Sequence, residues 1–414
     1  MNVALFVGSF PTLTETWIID EVAALLGRGD RVTIYADASD TREGVHPAVR
    51  EHHMLDLVRA RPTRHGGTAR RLASAAALAV VNLPRHPIAM LGAVNPLKYG
   101  WRACSGDMVR AAAGSMDGAR FDVVHAHSGD SAYLAAACKR WGLLRDPLLT
   151  TFHGPDLTFA SWVKKNNGYD ALIEQGDLFT VGSAFIKGVA VRNGLPEEKL
   201  RVLPMGIESA KFEFRERTMA SERDVRVLSV ARLAPVKGLE YGIRAFAKAL
   251  KSVPRMRYAI AGDGPLRDDL PRLAAELGVA DRMEFLGMLP HDRLAPVWNE
   301  ADVFLMPGVT DADGQVEGQG VVLLEAQASG LPVIASRAGG MPENVIEGAS
   351  ALLVEPKDVD GLAEAMVALA THPQRWAAMG RAGREFVRRE REQSIMHHRL
   401  FGMLADVART GRRS

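Results

Sequence analysis

Val225-Arg226-Val227-Leu228-Ser229-Val230 runs into Ala231-Arg232-Leu233-Ala234-Pro235-Val236-Lys237-Gly238, and an apolar-periodic segment follows to Val253. The first six residues read as a buried parallel strand, because β-branched and apolar residues are packed without a polar face. The next eight read as a loop carrying two cations, and the rest as a helix from Gly238 to Val253. The unit then repeats downstream. Strands are expected at 258–261, 283–286, 303–307, 332–335 and 351–354. Helices are expected at 266–277, 294–299, 320–329, 359–370 and 374–389. Strand and helix in strict alternation predict a parallel sheet covered on both faces.

The same alternation opens the chain. Val3-Ala4-Leu5-Phe6-Val7 reads as a strand that ends in Gly8-Ser9-Phe10-Pro11. A helix from Glu15 to Arg28 follows, with Thr14 as its N-cap and Gly29 as its stop, then a strand over 31–36. Further strands are expected at 121–127, 147–152, 178–181 and 200–204. The pattern lapses over the polar, charged stretch from Lys211 to Arg223. The reading is therefore two parallel α/β domains: residues 1–205, a linker over 206–224, and residues 225–384. The last segment, 385–414, is expected to return to the first domain. In such sheets ligands sit at the carboxyl ends of the strands, so the expected active site is a central cleft that the two domains face.

Bulk properties narrow the function classes. The chain has 414 residues, 47% hydrophobic and 24% charged, with a formal net charge of +2. Two isolated cysteines, Cys104 and Cys138, provide neither a disulfide framework nor a zinc spacing. The start of the chain lacks a basic stretch before its apolar run, so no secretory signal is expected. The longest apolar stretch, Leu72–Val81, is half of what a bilayer span needs. A cytoplasmic enzyme fits. From Leu57 to Arg110, however, nine Lys or Arg (Arg59, Arg61, Arg64, Arg70, Arg71, Arg85, Lys98, Arg102 and Arg110) stand against one acid, Asp107. With the apolar Leu72–Val81 between them, this predicts peripheral contact with anionic lipid at the inner face of the membrane. Solvated helix faces are the plainer alternative. Nucleic acid is excluded as a partner, because no aromatics interleave the charge.

The chemistry concentrates in three places. Glu317-Gly318-Gln319-Gly320-Val321-Val322-Leu323-Leu324-Glu325 puts one carboxylate in a loop and another inside the helix that follows. Its glycines let backbone amides approach an anionic oxygen. Carboxylates accept hydrogen bonds from sugar or ribose hydroxyls. Arg232 and Lys237 offer a planar fork and a point charge for a diphosphate, which they can hold without a metal. Thr151-Phe152-His153-Gly154-Pro155-Asp156 ends a buried strand and delivers His153 to the expected cleft. His125 and His127 are read as structural.

Arg232 with Lys237, Ala261-Gly262-Asp263-Gly264-Pro265, the Glu317/Glu325 pair, Gly330-Leu331-Pro332-Val333 and Gly339-Gly340-Met341-Pro342-Glu343 resemble, in order, the large retaining glycosyltransferase family of the GT-B fold, family four (group 1). The stretches 10–16 and 152–156 resemble its colanic-acid and exopolysaccharide subgroup. The resemblance implies a metal-independent hexosyltransferase that takes a nucleotide diphosphate sugar, with uridine or guanosine as the base and no cofactor. It implies that Arg232 and Lys237 hold the donor diphosphate and that Glu325 binds the ribose. Glu317, helped by the amides of Gly318, Gln319, Gly320 and Val321, would bind the donor sugar. His153 would line the sugar pocket, Gly8 would face the phosphate, and Asp263, Gly264, Pro265 and Leu289 would lie near the base. The acceptor would be a glycan, a lipid-linked intermediate or a small soluble molecule. Rival readings are a nucleotide-sugar epimerase, which would lack the Arg-Lys/Glu-Glu set, and a non-catalytic sugar-nucleotide binder. A NAD-dependent oxidoreductase is rejected, since the first turn lacks GxGxxG.

Overall fold

The alternation read from the sequence produces two sheets, every strand of which is parallel to its neighbours. The computed structural model describes residues 1–12, 15–38, 46–61, 67–115, 118–219 and 223–411. Thr14 and Arg64, which the sequence reading used, lie outside them. The first sheet contains β1 (Asn2–Phe10), β2 (Arg31–Ala38), β3 (Val58–Ala60), β4 (Val123–His127), β5 (Leu148–Phe152), β6 (Leu178–Val181) and β7 (Leu200–Val202), in the order 3-2-1-4-5-6-7. The second contains β8 (Val225–Val230), β9 (Met256–Ala261), β10 (Met283–Gly287), β11 (Val303–Met306), β12 (Val333–Ser336) and β13 (Ala351–Val354), in the order 10-9-8-11-12-13. Both are Rossmann-like orders. The winding direction reverses between β1 and β4 in one sheet and between β8 and β11 in the other.

The strands alternate between two cores because successive side chains point to opposite faces. In the second sheet, Val225, Val227, Val303, Leu305 and Ile334 enter one apolar cluster. Leu228, Phe304, Met306, Val333 and Ala335 enter the other. In the first sheet, Val3, Leu5 and Val7 pack with Ile18, Ile19, Val22 and Leu25 of the helix Thr16–Gly27. Leu400, Phe401, Leu404 and Val407 of the final helix complete that cluster.

The chain divides into two units at other places than the sequence reading set. The first unit is Met1–Val181, Lys187–Leu203 and His397–Ser414, and the second is Gly182–Ile186 and Pro204–Met396. The expected linker is thus part of the second unit, and its interior residues explain why. Ile207 and Phe212 are buried in the second unit's core. The guanidinium of Arg217 donates to the carbonyls of Trp298 at 2.9 Å, Asn299 at 3.1 Å and Ser329 at 3.0 Å. Arg384 holds the carbonyls of Ser209 and Ala328 at 2.8 and 2.7 Å. The return to the first unit begins at His397 rather than at 385, because Val387 is fully buried in the second unit. The stretch just after it bonds to Ile207, through Ile207 N to Arg391 O and Gln393 N to Ile207 O. Arg217→Met is expected to lower stability by about 3 kcal/mol, because two buried carbonyls and one half-buried carbonyl lose charge-assisted donors together. Chemical-denaturation midpoints would measure it.

Two features of the first unit went unread. β3 is three residues long and carries no alternating signal, and the run 68–114 is almost wholly helical. The basic stretch also divides on folding. Arg61, Arg102 and Arg110 are buried: Arg61 pairs with Asp37 at 3.0 Å, Arg102 with Asp130 at 2.9 Å and Arg110 with Asp107 at 2.9 Å. Arg59, Arg70, Arg71, Arg85 and Lys98 stay exposed.

Candidate active site

In the second unit, the loops after β8 and β11 flank the point where the sheet's winding reverses, and a cavity of about 520 Å³ opens there. Arg232, Lys237, Asp263, Leu289, Glu317, Gly320, Val321 and Glu325 line it. Met288, Leu294, Val230 and Val322 complete its apolar wall. Val230, Leu294 and Val322 escaped the sequence reading, which had no reason to separate them from other apolar residues of strands and helices.

The charges are unevenly engaged. Lys237 Nζ forms an ion pair with Glu317 Oε2, and the two side chains are about one-fifth exposed. Glu317 Oε1 accepts from the Gly320 amide at 3.1 Å. That amide, expected to serve a ligand, is therefore already committed to Glu317. Arg232 is exposed, and no described side chain pairs with it. The site thus offers one unengaged guanidinium beside an ammonium that has donors left over, and a planar dianion can bridge them. Glu325 lies one turn into the helix Val322–Ala328, and burial pushes its carboxyl up to about 7. No described group donates to that carboxylate.

Four residues expected to contact the donor do not line the cavity. Gln319 is buried, and its amide clasps the backbone of Met205, accepting from N and donating to O, both at 2.8 Å. Gly264 and Pro265 do not line the cavity. Gly262 and Gly264, both at positive φ, press the turn after β9 onto the loop after β8: a Cβ on Gly262 would sit 1.8 Å from Ala231 O, and one on Gly264 2.5 Å from Leu233 O. Gly318 gives its carbonyl to Ser183 Oγ at 2.7 Å. The Gly339-Gly340 motif works the same way, since a Cβ on Gly339 would meet Glu317 O at 2.0 Å. Gly264, Gly318 and Gly339 thus shape the surrounding wall, while Gly262 also lines the cavity.

In the first unit, Gly8, His127 and His153 stand at or just past the carboxyl ends of β1, β4 and β5. Gly8 is exposed, and a Cβ there would meet no atom within 4 Å. The buried guanidinium of Arg61 braces this strand end, donating to Val7 O at 2.6 Å and Gly8 O at 2.8 Å. His153 Nε2 lies 3.3 Å from His127 Nδ1, and the two rings are nearly parallel, at 11°. Trp17 packs on the His153 ring at 5.4 Å between centroids. Asp156 accepts from the amides of Gly129 at 2.9 Å and His153 at 3.2 Å, which fixes the backbone at His153. Burial, then the neighbouring His127 and His125, pushes the His153 ring down to about 3, so it is neutral at physiological pH. Beneath it, Glu21 meets His125 Nδ1 at 2.7 Å and His127 Nε2 at 3.3 Å. Burial alone would raise Glu21, but the two rings overcome it and hold the carboxyl well below the ordinary range. Carboxylate and ring atoms of Glu21, His125 and His127 lie within 4.8 Å of one another, a set whose atom types suit a metal ion. Hydrogen bonds suffice to hold the grouping together.

Two parallel sheets of these orders are those of the GT-B type, and in the second unit two cations and two carboxylates share the cavity where the winding reverses. Comparison with known proteins agrees. Residues 14–211 match glycosyltransferase family 4, and residues 210–386 match the glycosyl transferases group 1. A Salmonella typhimurium protein named for colanic acid biosynthesis as a glycosyltransferase is 30% identical over 413 residues, spanning 98% of this chain and 100% of that one. A GDP-mannose-dependent phosphatidylinositol monomannoside mannosyltransferase of Mycolicibacterium smegmatis is 34% identical over 264 residues, 62% of this chain and 68% of its own. Among solved structures, Anabaena HepE in complex with UDP superimposes with a TM-score of 0.71 at 17% identity, over 98% of this chain and 100% of that one. The chain belongs to the group 1 glycosyltransferases of family four and is a glycosyltransferase of the GT-B fold.

Proposed function

We propose that this enzyme transfers a hexosyl group from a nucleoside diphosphate sugar to a hydroxyl of a lipid-linked glycan in exopolysaccharide assembly, with retention of anomeric configuration and without a metal ion. The observation that carries this is the placement of Arg232 and Lys237 after β8, on the same cavity as Glu317 and Glu325 after β11. Arg232 and Lys237 supply the two positive charges that a metal would otherwise bring to the diphosphate. Glu325 takes the ribose hydroxyls, and Glu317, held by Lys237, takes hydroxyls of the donor sugar. The second unit is thus the donor side. The first unit, with Gly8 and His153, is the acceptor and sugar side. The acceptor oxygen bonds to the anomeric carbon as the bond from that carbon to the diphosphate breaks. Its proton passes to the departing diphosphate, whose charge the two cations stabilise. The base is uridine or guanosine: the mycobacterial relative is named for GDP-mannose, and the Anabaena structure holds UDP.

The test is product analysis by NMR after incubation with UDP- and GDP-sugars and a polyprenyl diphosphate glycan, with and without a chelator. An α-linked product from an α-linked donor, formed equally with chelator, is expected. Inversion, or loss of turnover on chelation, would refute the corresponding part.

A lipid-linked acceptor agrees with the surface of the first unit, and the inner face of the cytoplasmic membrane is the location this implies. No described helix is long and apolar enough to cross a membrane. Yet Val80, Val81, Ile88, Leu91, Leu97 and Trp101 each expose 63 to 98% of their surface, close in sequence to Arg70, Arg71, Arg85 and Lys98. Exposed apolar groups beside cations suit an anionic lipid surface. The protein is expected to float with vesicles containing phosphatidylglycerol and not with phosphatidylcholine alone. Leu97→Ser with Trp101→Ser should weaken partition by roughly tenfold or more, since each removes at least about 1 kcal/mol of apolar burial.

A further inference from the structure

The hydrogen bonds beneath His153 bear on where its proton sits. An ionised Glu21 can only accept. It therefore accepts a hydrogen bond from the Nδ1–H of His125 at 2.7 Å, which leaves His125 Nε2 to accept from Thr151 Oγ1 at 2.8 Å. Thr151 Oγ1 in turn accepts from Thr180 Oγ1 at 2.7 Å, so this branch closes without a conflict. On the other branch Glu21 Oε2 faces His127 Nε2 at 3.3 Å, outside ideal hydrogen-bond alignment. The contact is still decisive in sign. A bare lone pair on that nitrogen would confront a carboxylate in a buried site, whereas an N–H there is attracted to it. With one ring proton, His127 carries it on Nε2 and presents a lone pair at Nδ1. That lone pair lies 3.3 Å from His153 Nε2, which must then be the donor.

We propose that Glu21, acting through His127, fixes His153 as the Nε2–H tautomer and leaves its Nδ1 as a hydrogen-bond acceptor, which makes Glu21 and His127 positioning residues. The use of that acceptor rests on the function proposed above: a neutral ring with a bare Nδ1 receives a sugar hydroxyl and cannot act as a cationic donor. All participants are buried or half-buried within the first unit, and the backbone at His153 is fixed by Asp156. Neither rotation of the ring nor solvent exchange then needs to be invoked to choose the tautomer.

The test is long-range ¹H–¹⁵N correlation on histidine-labelled full-length protein, with no donor or acceptor added. The His153 signals are assigned by their loss in His153→Gln. Wild type is expected to show His153 protonated at Nε2 alone. Glu21→Leu and His127→Leu are each expected to show both tautomers at His153. Their kcat should fall roughly 10- to 100-fold, the range seen when a residue that orients another is removed, with nucleotide affinity in the second unit unchanged. Protonation of His153 at Nδ1 in wild type overturns the proposal. So does a single Nε2–H tautomer that persists in both variants. The wild-type spectrum decides alone should either variant fail to fold. Because the spectrum needs no substrate, a failed transfer assay leaves this inference standing, and the wrong tautomer in an active transferase sinks it alone.

Discussion

Lys237→Ala is expected to lower kcat by about two to three orders of magnitude, the usual effect of removing one preorganised donor to a developing oxyanion. The loss has two sources. A diphosphate leaving from this cavity, as proposed, would lose one of the two cations that line it. Glu317 also loses the partner that orients it, keeping only the Gly320 amide at 3.1 Å. Because the pair is about one-fifth exposed, its loss should also lower stability, by about 1 kcal/mol. Lys237→Arg keeps the charge but not the ammonium's compact reach into Glu317 Oε2, so partial activity is expected. A cycle of Lys237→Ala, Glu317→Ala and the double variant measures the coupling directly. The single effects should fail to add by about 1–3 kcal/mol in activation free energy. Additive effects would mean that Lys237 and Glu317 act on the reaction independently.

Glu325→Gln should make the protein more stable and less able to bind nucleotide. Burial raises this carboxyl to about 7 from an ordinary 4.5. The sign follows from which state ionises first. Below about pH 4.5 both folded and unfolded chains hold the proton, and the glutamate carries no penalty. As the pH rises from there to about 7, the unfolded chain ionises and the folded one does not, so stability falls. Above about 7 the whole penalty, on the order of 3 kcal/mol, is present. The substituted chain should therefore melt higher than wild type at pH 8 and equally at pH 4.5. Binding should move the opposite way. On the proposed assignment ribose hydroxyls would donate to the ionised form, so wild-type affinity should climb as the pH rises toward 7 and then level off. The variant should bind roughly tenfold or more weakly at pH 8 and keep only the pH dependence of the nucleotide's own phosphate. Calorimetric titration across pH 5.5–8.5 on both proteins separates the two contributions.

This penalty explains why so much of the site was legible in sequence. A carboxylate inside a helix, behind Gly318 and Gly320, is costly to bury and stands out against the apolar residues around it. Arg232 and Lys237 stand out for the same reason, as charges directly following an unbroken apolar strand. Both sheets were legible because buried parallel strands are short, apolar and regularly spaced. β3 lacked that signature. The segment 206–219 read as a linker because its polar residues dominate. What anchors it is the guanidinium of Arg217 on three carbonyls, a tertiary contact with no local periodicity. Gln319 misled for a related reason. Its neighbours line the cavity, but its own amide is spent on the backbone of Met205. The burial of Arg61, Arg102 and Arg110 was equally hidden, since each depends on an acid distant in sequence or on the local fold. His125 and His127, read as structural, are buried, but nothing in their spacing pointed to Glu21, 104 positions away from His125.

The measurement that bears most directly on the donor site is calorimetric titration of the full-length protein with UDP, GDP and their sugars, on wild type and on Arg232→Ala. Arg232 is the guanidinium on the cavity with no described side chain for a partner. Saturable one-to-one binding of one nucleotide, weakened at least about tenfold by the substitution, is the expected result. Undiminished binding in Arg232→Ala, or no binding of any nucleotide to wild type, would contradict a donor diphosphate held at the ends of β8 and β11.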